Sequence, residues 1–322
     1  MALPSPLLLA IGLALLGVSS SVVISNLVAV SEKRRLKKSV LSFLLVAFST
    51  SLPELFVAIN AIAAENMPVS LGDILGSNIT NIALVLGICF IVSRLGRPRR
   101  RAIAIGDEEM KQLTNALILL SGTLLVLLYI QFMSQIIGFL LLGIFSVYSF
   151  KLFRKRRIEG DADNAQVDSR IRRELALIAL GIVGVIVGSR FTVDSAIDVA
   201  IYLGVPASIV GATLVAFGTS LPEFAVDVRA AYTGHLGICI GDVIGSCFLN
   251  STLILGLLLV FTPFTISLAV LSDLLLFGVV SNLVLWYFLD NRKTGYREGA
   301  ILLLLYAVDL LSILGILVWR VP

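Results

Sequence analysis

Charge is scarce in this chain of 322 residues: Asp, Glu, Lys and Arg make up 14% of it, whereas hydrophobic residues make up 58%. The mean hydropathy is +1.00. Soluble globular domains carry about 25% charged residues, so this composition excludes a soluble protein. It also excludes a basic nucleic-acid-binding domain, although the sequence pI is near 9.0. The hydrocarbon of a membrane is therefore expected to be the main solvent of the chain.

Histidine and cysteine are nearly absent. His235 is the single histidine and stands at the boundary of an apolar stretch, which argues against a Ser-His-Asp hydrolase. The three cysteines, Cys89, Cys239 and Cys247, lie in or beside apolar stretches without CxxC spacing. Neither a disulfide framework nor a zinc site is predicted, and the sequence indicates no enzyme, no cofactor and no particular protein partner.

Ten apolar stretches have about the twenty residues that a helix needs to cross the hydrocarbon, so ten transmembrane helices are predicted. No Lys or Arg precedes the first stretch and a basic cluster follows it, which is the wrong order for a signal peptide. The predicted helices lie near 6–30, 39–63, 69–92, 112–130, 133–150, 175–200, 206–232, 237–261, 265–289 and 299–319.

Basic residues are confined to alternate loops, which predicts the orientation of a multi-pass cell membrane protein. Four loops contain 22 of the 25 Lys and Arg residues: 31–38, 94–111, 151–173 and 290–298. The intervening loops have none: 64–68, 131–132, 202–205 and 262–264. Because cytoplasmic loops retain basic residues, we expect both termini outside and loop 151–173 in the cytoplasm. The basic pI then reflects contact with anionic lipid head groups.

The chain repeats itself at one fixed offset. AFSTSLPE at 47–54 matches AFGTSLPE at 216–223, and GDILGSNITN at 72–81 matches GDVIGSCFLN at 241–250. Both matches share an offset of 169 residues. Two motifs at a single offset predict an internal duplication.

The duplication predicts an all-α integral membrane protein with two inverted five-helix repeats. The first repeat spans 1–150, with its motifs within 39–92, and the second spans 174–322, with its motifs within 206–261. A linker, 151–173, joins them. Because each copy crosses the membrane an odd number of times, the second copy must be inverted. In transporters of this design the substrate site lies near the midplane, between the repeats.

Two glutamates, Glu54 and Glu223, occupy equivalent positions in the middle of apolar helices. A carboxylate at that depth costs a few kcal/mol unless it meets a cation, a proton or water. Two hydroxyl residues stand four and three positions before each glutamate, on the same helix face. They are Thr50 and Ser51 in the first copy and Thr219 and Ser220 in the second.

Prolines precede both glutamates directly. Pro53 and Pro222 lack the amide hydrogen that would bond a carbonyl four residues earlier, so a kink is predicted at each. Carbonyls freed at this depth require protein, water or an ion. The next helix of each copy adds neutral oxygens from residues four apart, Ser77 with Asn81 and Ser246 with Asn250.

The candidate ligands are oxygen atoms throughout, which suits Ca2+, Mg2+ or Na+ and argues against zinc and copper. Two glutamates neutralise one divalent ion. Ca2+ accepts about six to eight oxygens in flexible geometry, whereas Mg2+ requires a stricter octahedron. The glycines of GDILG and GDVIG have a simpler explanation, since small residues let membrane helices approach closely.

The paired motifs, their order and their inversion resemble the cation/Ca2+ exchanger superfamily, in particular a prokaryotic-type Na+/Ca2+ exchanger with two α-repeats. The resemblance implies secondary active antiport of Ca2+ and Na+ across the bilayer by alternating access. It also implies that Glu54 and Glu223 bind Ca2+. The implied Na+ sites consist of hydroxyls and carbonyls, with two amides beside the centre: Thr50, Ser51, Ser77, Thr219, Ser220, Ser246, Ala47 and Ala216, then Asn81 and Asn250.

The chain departs from the family pattern at Asp73 and Asp242, where many relatives have Asn. Two explanations stay open: carboxylates that attract cations into two vestibules near opposite membrane faces, or carboxylates bonded to helix amino ends. With Asn81 and Asn250 neutral, the two glutamates would carry the only assured negative charge at the centre. Asn250 also argues against K+ cotransport, because K+-dependent members carry Asp there.

Several alternatives stay open. A H+/Ca2+ antiporter has the same fold, although such relatives usually have Gly and Asn in place of the Thr-Ser pairs. An intramembrane aspartyl protease is a remote alternative, suggested by LGD at 71–73 and IGD at 240–242, but inversion should separate these aspartates. A channel is disfavoured because tight divalent binding slows conduction. Unrepeated intramembrane charges receive no role: Asp194, Asp198, Asp227, Arg229, Asp273 and Asp309.

Overall fold

The computed structural model describes residues 5–33, 48–95, 107–129, 132–133, 135–157, 172–262, 264–265 and 268–315. The helices are α1 (Ser5–Lys33), α2 (Leu52–Ala63), α3 (Met67–Ile79), α4 (Leu86–Leu95), α5 (Asp107–Tyr129), α6 (Gln135–Arg157), α7 (Arg172–Leu203), α8 (Ala207–Val210), α9 (Ala216–Thr219), α10 (Leu221–Tyr232), α11 (Leu236–Leu249), α12 (Leu255–Phe261), α13 (Leu268–Asp290) and α14 (Tyr296–Ile313). Two short strands, β1 (Phe132–Met133) and β2 (Phe264–Thr265), complete the described elements.

Within the described residues, the helices form ten rods at the ten predicted positions, because α3 with α4, α8 to α10, and α11 with α12 each continue one another. Five of the rods are long and apolar enough to cross a membrane, and a sixth qualifies if α8 to α10 count as one bent span. Of the others, Leu52–Ala63, Met110–Val126 and Gln135–Phe150 are shorter apolar stretches. Helix α6 continues to Arg157 and α7 begins at Arg172, so helix extends into both ends of the predicted linker.

Large apolar side chains cover the outside of the protein. On α6, for example, Ile136, Phe139 and Leu140 are exposed. In water such a surface would be costly, but lipid tails are equally apolar. Helices suit this solvent because each backbone amide and carbonyl is paired within its own segment. The fold therefore has the surface of a membrane protein.

The two halves pack against each other in pairs that follow the duplication. Helix α1 packs along α7, and α5 along α13, which pairs the first and the fourth helices of the two copies. Helix α6 packs against α12, and α14 against α4, so the fifth helix of each copy contacts the third of the other. This exchange of contacts is what two inverted five-helix repeats produce.

Two contacts connect loops that were predicted to share a membrane face. Strands β1 and β2 pair antiparallel, which joins the loops near 131–132 and 262–264. At the other end of the helices, the guanidinium of Arg94 donates hydrogen bonds to the carbonyl of Thr294 at 3.1 and 3.3 Å. Arg94, at the end of α4, and Thr294, just before α14, are therefore in contact.

Both copies have a backbone break before the repeated glutamate. Ser51 precedes α2 with φ −81° and ψ 8°, and Ser220 precedes α10 with φ −80° and ψ 1°. The repeated proline lies in the first turn of the following helix in each case. In the second copy the two parts of the span are bent by 46°. The predicted kink is confirmed there, and the first copy has the same break.

Close approach of backbones explains two repeated-motif glycines on α3. A Cβ on Gly72 would collide with the carbonyl oxygen of Ser208, and one on Gly76 would collide with that of Ala212. Both partners precede the bend of the second copy. Small residues thus let α3 pack closely against the segment 207–215, which precedes the bend of the opposite repeat. The packing explanation for these two glycines is confirmed.

Three π-helical turns interrupt the described helices: Thr80–Val85, Gly211–Val215 and Asn250–Ile254. The first and third follow the repeated GDILGSN and GDVIGSC segments and contain the equivalent asparagines. Such turns widen a helix locally and are frequent at functional sites. Sequence periodicity predicts an ordinary α-helix at all three places.

Candidate functional site

The two repeated glutamates lie in the first turns of α2 and α10. Glu54 and Glu223 are both fully buried. None of their four carboxylate oxygens has a hydrogen-bond partner among the described residues. The two side chains are near enough for their charges to interact. Buried carboxylates without partners require a compensating cation or proton.

Hydroxyl groups of the two repeats meet in two equivalent contacts. The Oγ1 of Thr50 lies 3.2 Å from the Oγ of Ser246, and the Oγ of Ser77 lies 3.2 Å from the Oγ1 of Thr219. All four side chains are fully buried. The offset of 169 residues converts one contact into the other, so the site has the symmetry of the repeats.

A further set of buried polar atoms belongs to the same repeated segments as the glutamates and the hydroxyl pairs. The hydroxyls of Ser51 and Ser220 have no hydrogen-bond partner in the described part of the chain, and neither do the amide groups of Asn81 and Asn250. Native proteins pair nearly all such atoms, so their presence indicates a ligand or ordered water. We define the central site as the following ten residues: Glu54, Glu223, Thr50, Ser246, Ser77, Thr219, Ser51, Ser220, Asn81 and Asn250.

The two predicted carbonyl ligands are Ala216 and Ala47. The carbonyl oxygen of Ala216 accepts a hydrogen bond from the amide of Ser220 at 3.1 Å and lies 3.2 Å from the hydroxyl oxygen of Thr219. Ala216 is buried beside the break. Ala47, its equivalent, lies outside the described residues.

Asp73 belongs to the central region. It is fully buried on α3 and lies neither in an open vestibule nor at a helix amino end. Its Oδ1 accepts hydrogen bonds from Thr219 at 2.9 Å and from Ser77 at 3.4 Å. The close packing of α3 against the bent span of the second repeat brings this carboxylate inward.

Asp242 occupies the equivalent place in the second repeat. It is 3% exposed, and neither of its oxygens has a hydrogen-bond partner within the described ranges. Thr50 lies beside it, as Thr219 lies beside Asp73. Each flank of the glutamate pair therefore has one aspartate with one Thr and one Ser. Two further carboxyl groups thus lie beside the glutamate pair.

The arrangement suits several hard cations rather than one metal held by carboxylates alone. In the part of the chain that the structure describes, no three Asp, Glu, His or Cys side chains converge enough to bind one ion together. Hydroxyl, amide and carbonyl oxygens must therefore supply part of any coordination shell, as Ca2+ and Na+ allow. Such cations fit the central region because its buried atoms without hydrogen-bond partners include hydroxyl, amide and carboxyl oxygens.

Comparisons with known proteins agree with this geometry. The sequence model of the sodium/calcium exchanger protein family matches residues 4–153 and 174–315. The uncharacterized membrane protein MJ0091 of Methanocaldococcus jannaschii is 32% identical over 83% of this chain and 84% of its own length. The sodium/calcium exchanger MaX1 of Methanosarcina acetivorans is 28% identical over 94% of this chain and 97% of its own.

Solved structures give the same result for the fold. A structure of the sodium-calcium exchanger NCX_Mj, soaked with Na+ and Ca2+, matches 97% of this chain and 99% of its own, with a TM-score of 0.69 and 28% sequence identity. The fold is that ten-helix exchanger fold. With a family match over both halves of the sequence, this multi-pass membrane protein belongs to the sodium/calcium exchanger protein family.

Proposed function

We propose that the chain is a secondary active antiporter that exchanges Ca2+ for Na+ across the cell membrane. One observation carries the proposal: Glu54 and Glu223 are buried at symmetry-equivalent breaks, with all four oxygens unpaired among the described residues. The names of MaX1 and NCX_Mj, both sodium/calcium exchangers, support the same pair of ions.

Ca2+ binds between the glutamates in this proposal. Two carboxylates neutralise the divalent charge, and the amides of Asn81 and Asn250 lie on the adjoining helices as neutral oxygen donors. The bound ion then explains why these buried atoms have no hydrogen-bond partner among the described residues.

Na+ binds at the two flanks. The hydroxyl pairs Thr50 with Ser246 and Thr219 with Ser77 supply neutral oxygens, with Ser51, Ser220 and the carbonyls of Ala47 and Ala216 completing the set. Each flank also has an aspartate nearby, which favours cation entry. Na+ at the flanks and Ca2+ at the centre compete through the shared carboxylates, so occupancy by one ion disfavours the other.

Alternating access follows from the inverted repeats. The two halves can exchange roles, so that the site opens to one membrane face and then to the other by a relative movement of the repeats. The breaks at Ser51 and Ser220 are the natural points of bending, because the helical hydrogen-bond ladder is interrupted there.

The decisive experiment is 45Ca2+ uptake into proteoliposomes with an imposed Na+ gradient, compared with an imposed pH gradient. We expect uptake with the Na+ gradient only. Uptake that follows pH and ignores Na+ would instead assign the protein as a H+/Ca2+ antiporter of the same fold.

Removing either glutamate charge should abolish exchange. Glu54→Gln and Glu223→Gln each keep the side-chain shape but leave one carboxylate for a divalent ion, so Ca2+ uptake should fall by at least about 100-fold. Protein yield and thermal stability in detergent serve as controls, because both variants should remain folded. Near-normal uptake by either variant contradicts the proposed Ca2+ site.

A further inference from the structure

Asp227 is a buried carboxylate with no counterpart in the first repeat. It lies on α10, four residues and so one turn after Glu223. It is fully buried, and neither of its oxygens has a hydrogen-bond partner among the residues that the structure describes. The offset of 169 residues places Ala58 at the equivalent position. The two halves of the exchanger therefore differ here by one charge.

Asp227 and Asp242 lie on α10 and α11, two helices that pack against each other. The Sγ of Cys239 donates a hydrogen bond to the carbonyl oxygen of Asp227 at 3.0 Å, which fixes the two helices together at this level. Asp242 follows Cys239 by three residues and so lies on the same face of α11. The two carboxylates are close enough to repel each other when both are charged.

Neither carboxylate of this pair has a hydrogen-bond partner among the described residues. Arg229 is on α10 but is exposed, and it follows Asp227 by two residues, which places it on another face. Two buried neighbouring carboxylates without partners are costly in a protein interior. A bound cation removes both the desolvation cost and the repulsion.

The position of the pair is between the central site and one membrane face. Along α10, Asp227 lies about 6 Å beyond Glu223, toward the turn 233–235. Asp242 lies six residues into α11, which begins at the same turn. In the first repeat, Asp73 is equivalent to Asp242 and Ala58 is equivalent to Asp227. The equivalent pair of positions therefore has one carboxyl group instead of two.

We propose that Asp227 and Asp242 form an accessory cation site, on the side of the turn 233–235 only, which takes Ca2+ on its way to or from the central site. Two carboxylates match one divalent charge, and the site rests on the proposed Ca2+ exchange. The protein then handles Ca2+ differently from its two faces. The face near Asp227 concentrates Ca2+ before it reaches Glu223.

The test is Ca2+ transport by Asp227→Ala, measured in right-side-out and inside-out membrane vesicles. The Ca2+ concentration for half-maximal exchange should rise about tenfold from the face of the turn 233–235, since a buried charge attracts a nearby cation strongly, and less than about twofold from the other face. Asp227→Asn, which keeps the side-chain size, should behave like Asp227→Ala. Asp198→Asn, on an exposed carboxylate of α7, is the matched control.

Equal shifts from both faces, no shift at all, or complete loss of exchange in a folded variant each overturn the accessory site. A second measurement separates this outcome from failure of the exchange proposal. Equilibrium binding of 45Ca2+ to purified Glu54→Gln protein should retain a weak site, and adding Asp227→Ala should remove it. That result holds whether or not Na+ drives transport, and binding that is unchanged by Asp227→Ala contradicts the proposal.

Discussion

Single residues divide the central site into a middle and two flanks. The glutamate oxygens have no hydrogen-bond partner among the described residues, whereas Asp73 is already bonded to Thr219 and Ser77. A hydroxyl that donates to a carboxylate directs its oxygen lone pairs elsewhere, toward a cation. The carboxyl group of Asp73 thus orients the hydroxyls of its flank.

Neutralising Asp73 should weaken Na+ more than Ca2+. Asp73→Asn keeps an acceptor oxygen for Thr219 but removes the charge, so the Na+ concentration for half-maximal exchange should rise about tenfold. The maximal rate of Ca2+ exchange at saturating Na+ should change much less. The measurement is Na+-dependent 45Ca2+ efflux, with Asp198→Asn as control. An unchanged Na+ dependence would mean that the charge of Asp73 does not act on the flank.

At the scale of elements, the site depends on how closely α3 approaches the bent span of the other repeat. Gly72 and Gly76 allow backbone contact with Ser208 and Ala212. The same approach brings Ser77 within 3.2 Å of Thr219. The same contact therefore packs the helices and brings the site residues together. A larger residue at Gly72 or Gly76 should disturb both.

Alanine at position 76 should destabilise the protein, whereas alanine at another helical glycine should not. In Gly76→Ala the new methyl group meets the backbone of Ala212, and overpacking of this kind costs about 1–3 kcal/mol. Gly122→Ala, on α5, meets nothing within 4 Å and should be neutral or slightly stabilising. Thermal unfolding in detergent measures both, and equal melting temperatures would contradict the close contact.

The helical elements themselves were predictable from the sequence, and their internal irregularities were not. A run of about twenty apolar residues predicts a transmembrane helix because lipid offers no hydrogen-bond partners to the backbone. The turn Asn250–Ile254 has a π form whose sequence shows no distinctive pattern. Such a turn depends on the contacts that the two neighbouring segments make, so local propensity does not reveal it.

At the scale of the whole molecule, the inverted repeats set which loops share a face. The contacts between β1 and β2, and between Arg94 and Thr294, group the loops as the distribution of basic residues predicts. Which of the two faces is cytoplasmic stays a prediction from the positive-inside rule. By that prediction the turn 233–235 and Asp227 lie toward the cytoplasm.

Cysteine labelling in intact cells should establish the orientation. A cysteine at Asp163, outside the described residues, should react with a membrane-impermeant maleimide only after the cells are opened. One at Asn66 should react in intact cells. The native protein is the control, because Cys89, Cys239 and Cys247 are all buried and free. Reaction of both introduced cysteines from one side would contradict the predicted topology and the inversion.

The sequence by itself determined the membrane class, the duplication and the pairs of glutamates, hydroxyls and amides, because hydropathy and a fixed offset are properties of the chain alone. Tertiary structure alone decided which of these groups meet. Thr50 and Ser246 are 196 residues apart, and Ser77 and Thr219 are 142 apart, yet each pair is in contact. It also decided that Asp73 and Asp227 are buried. The burial of a helical carboxylate depends on which neighbour packs over it, and no local pattern records that neighbour.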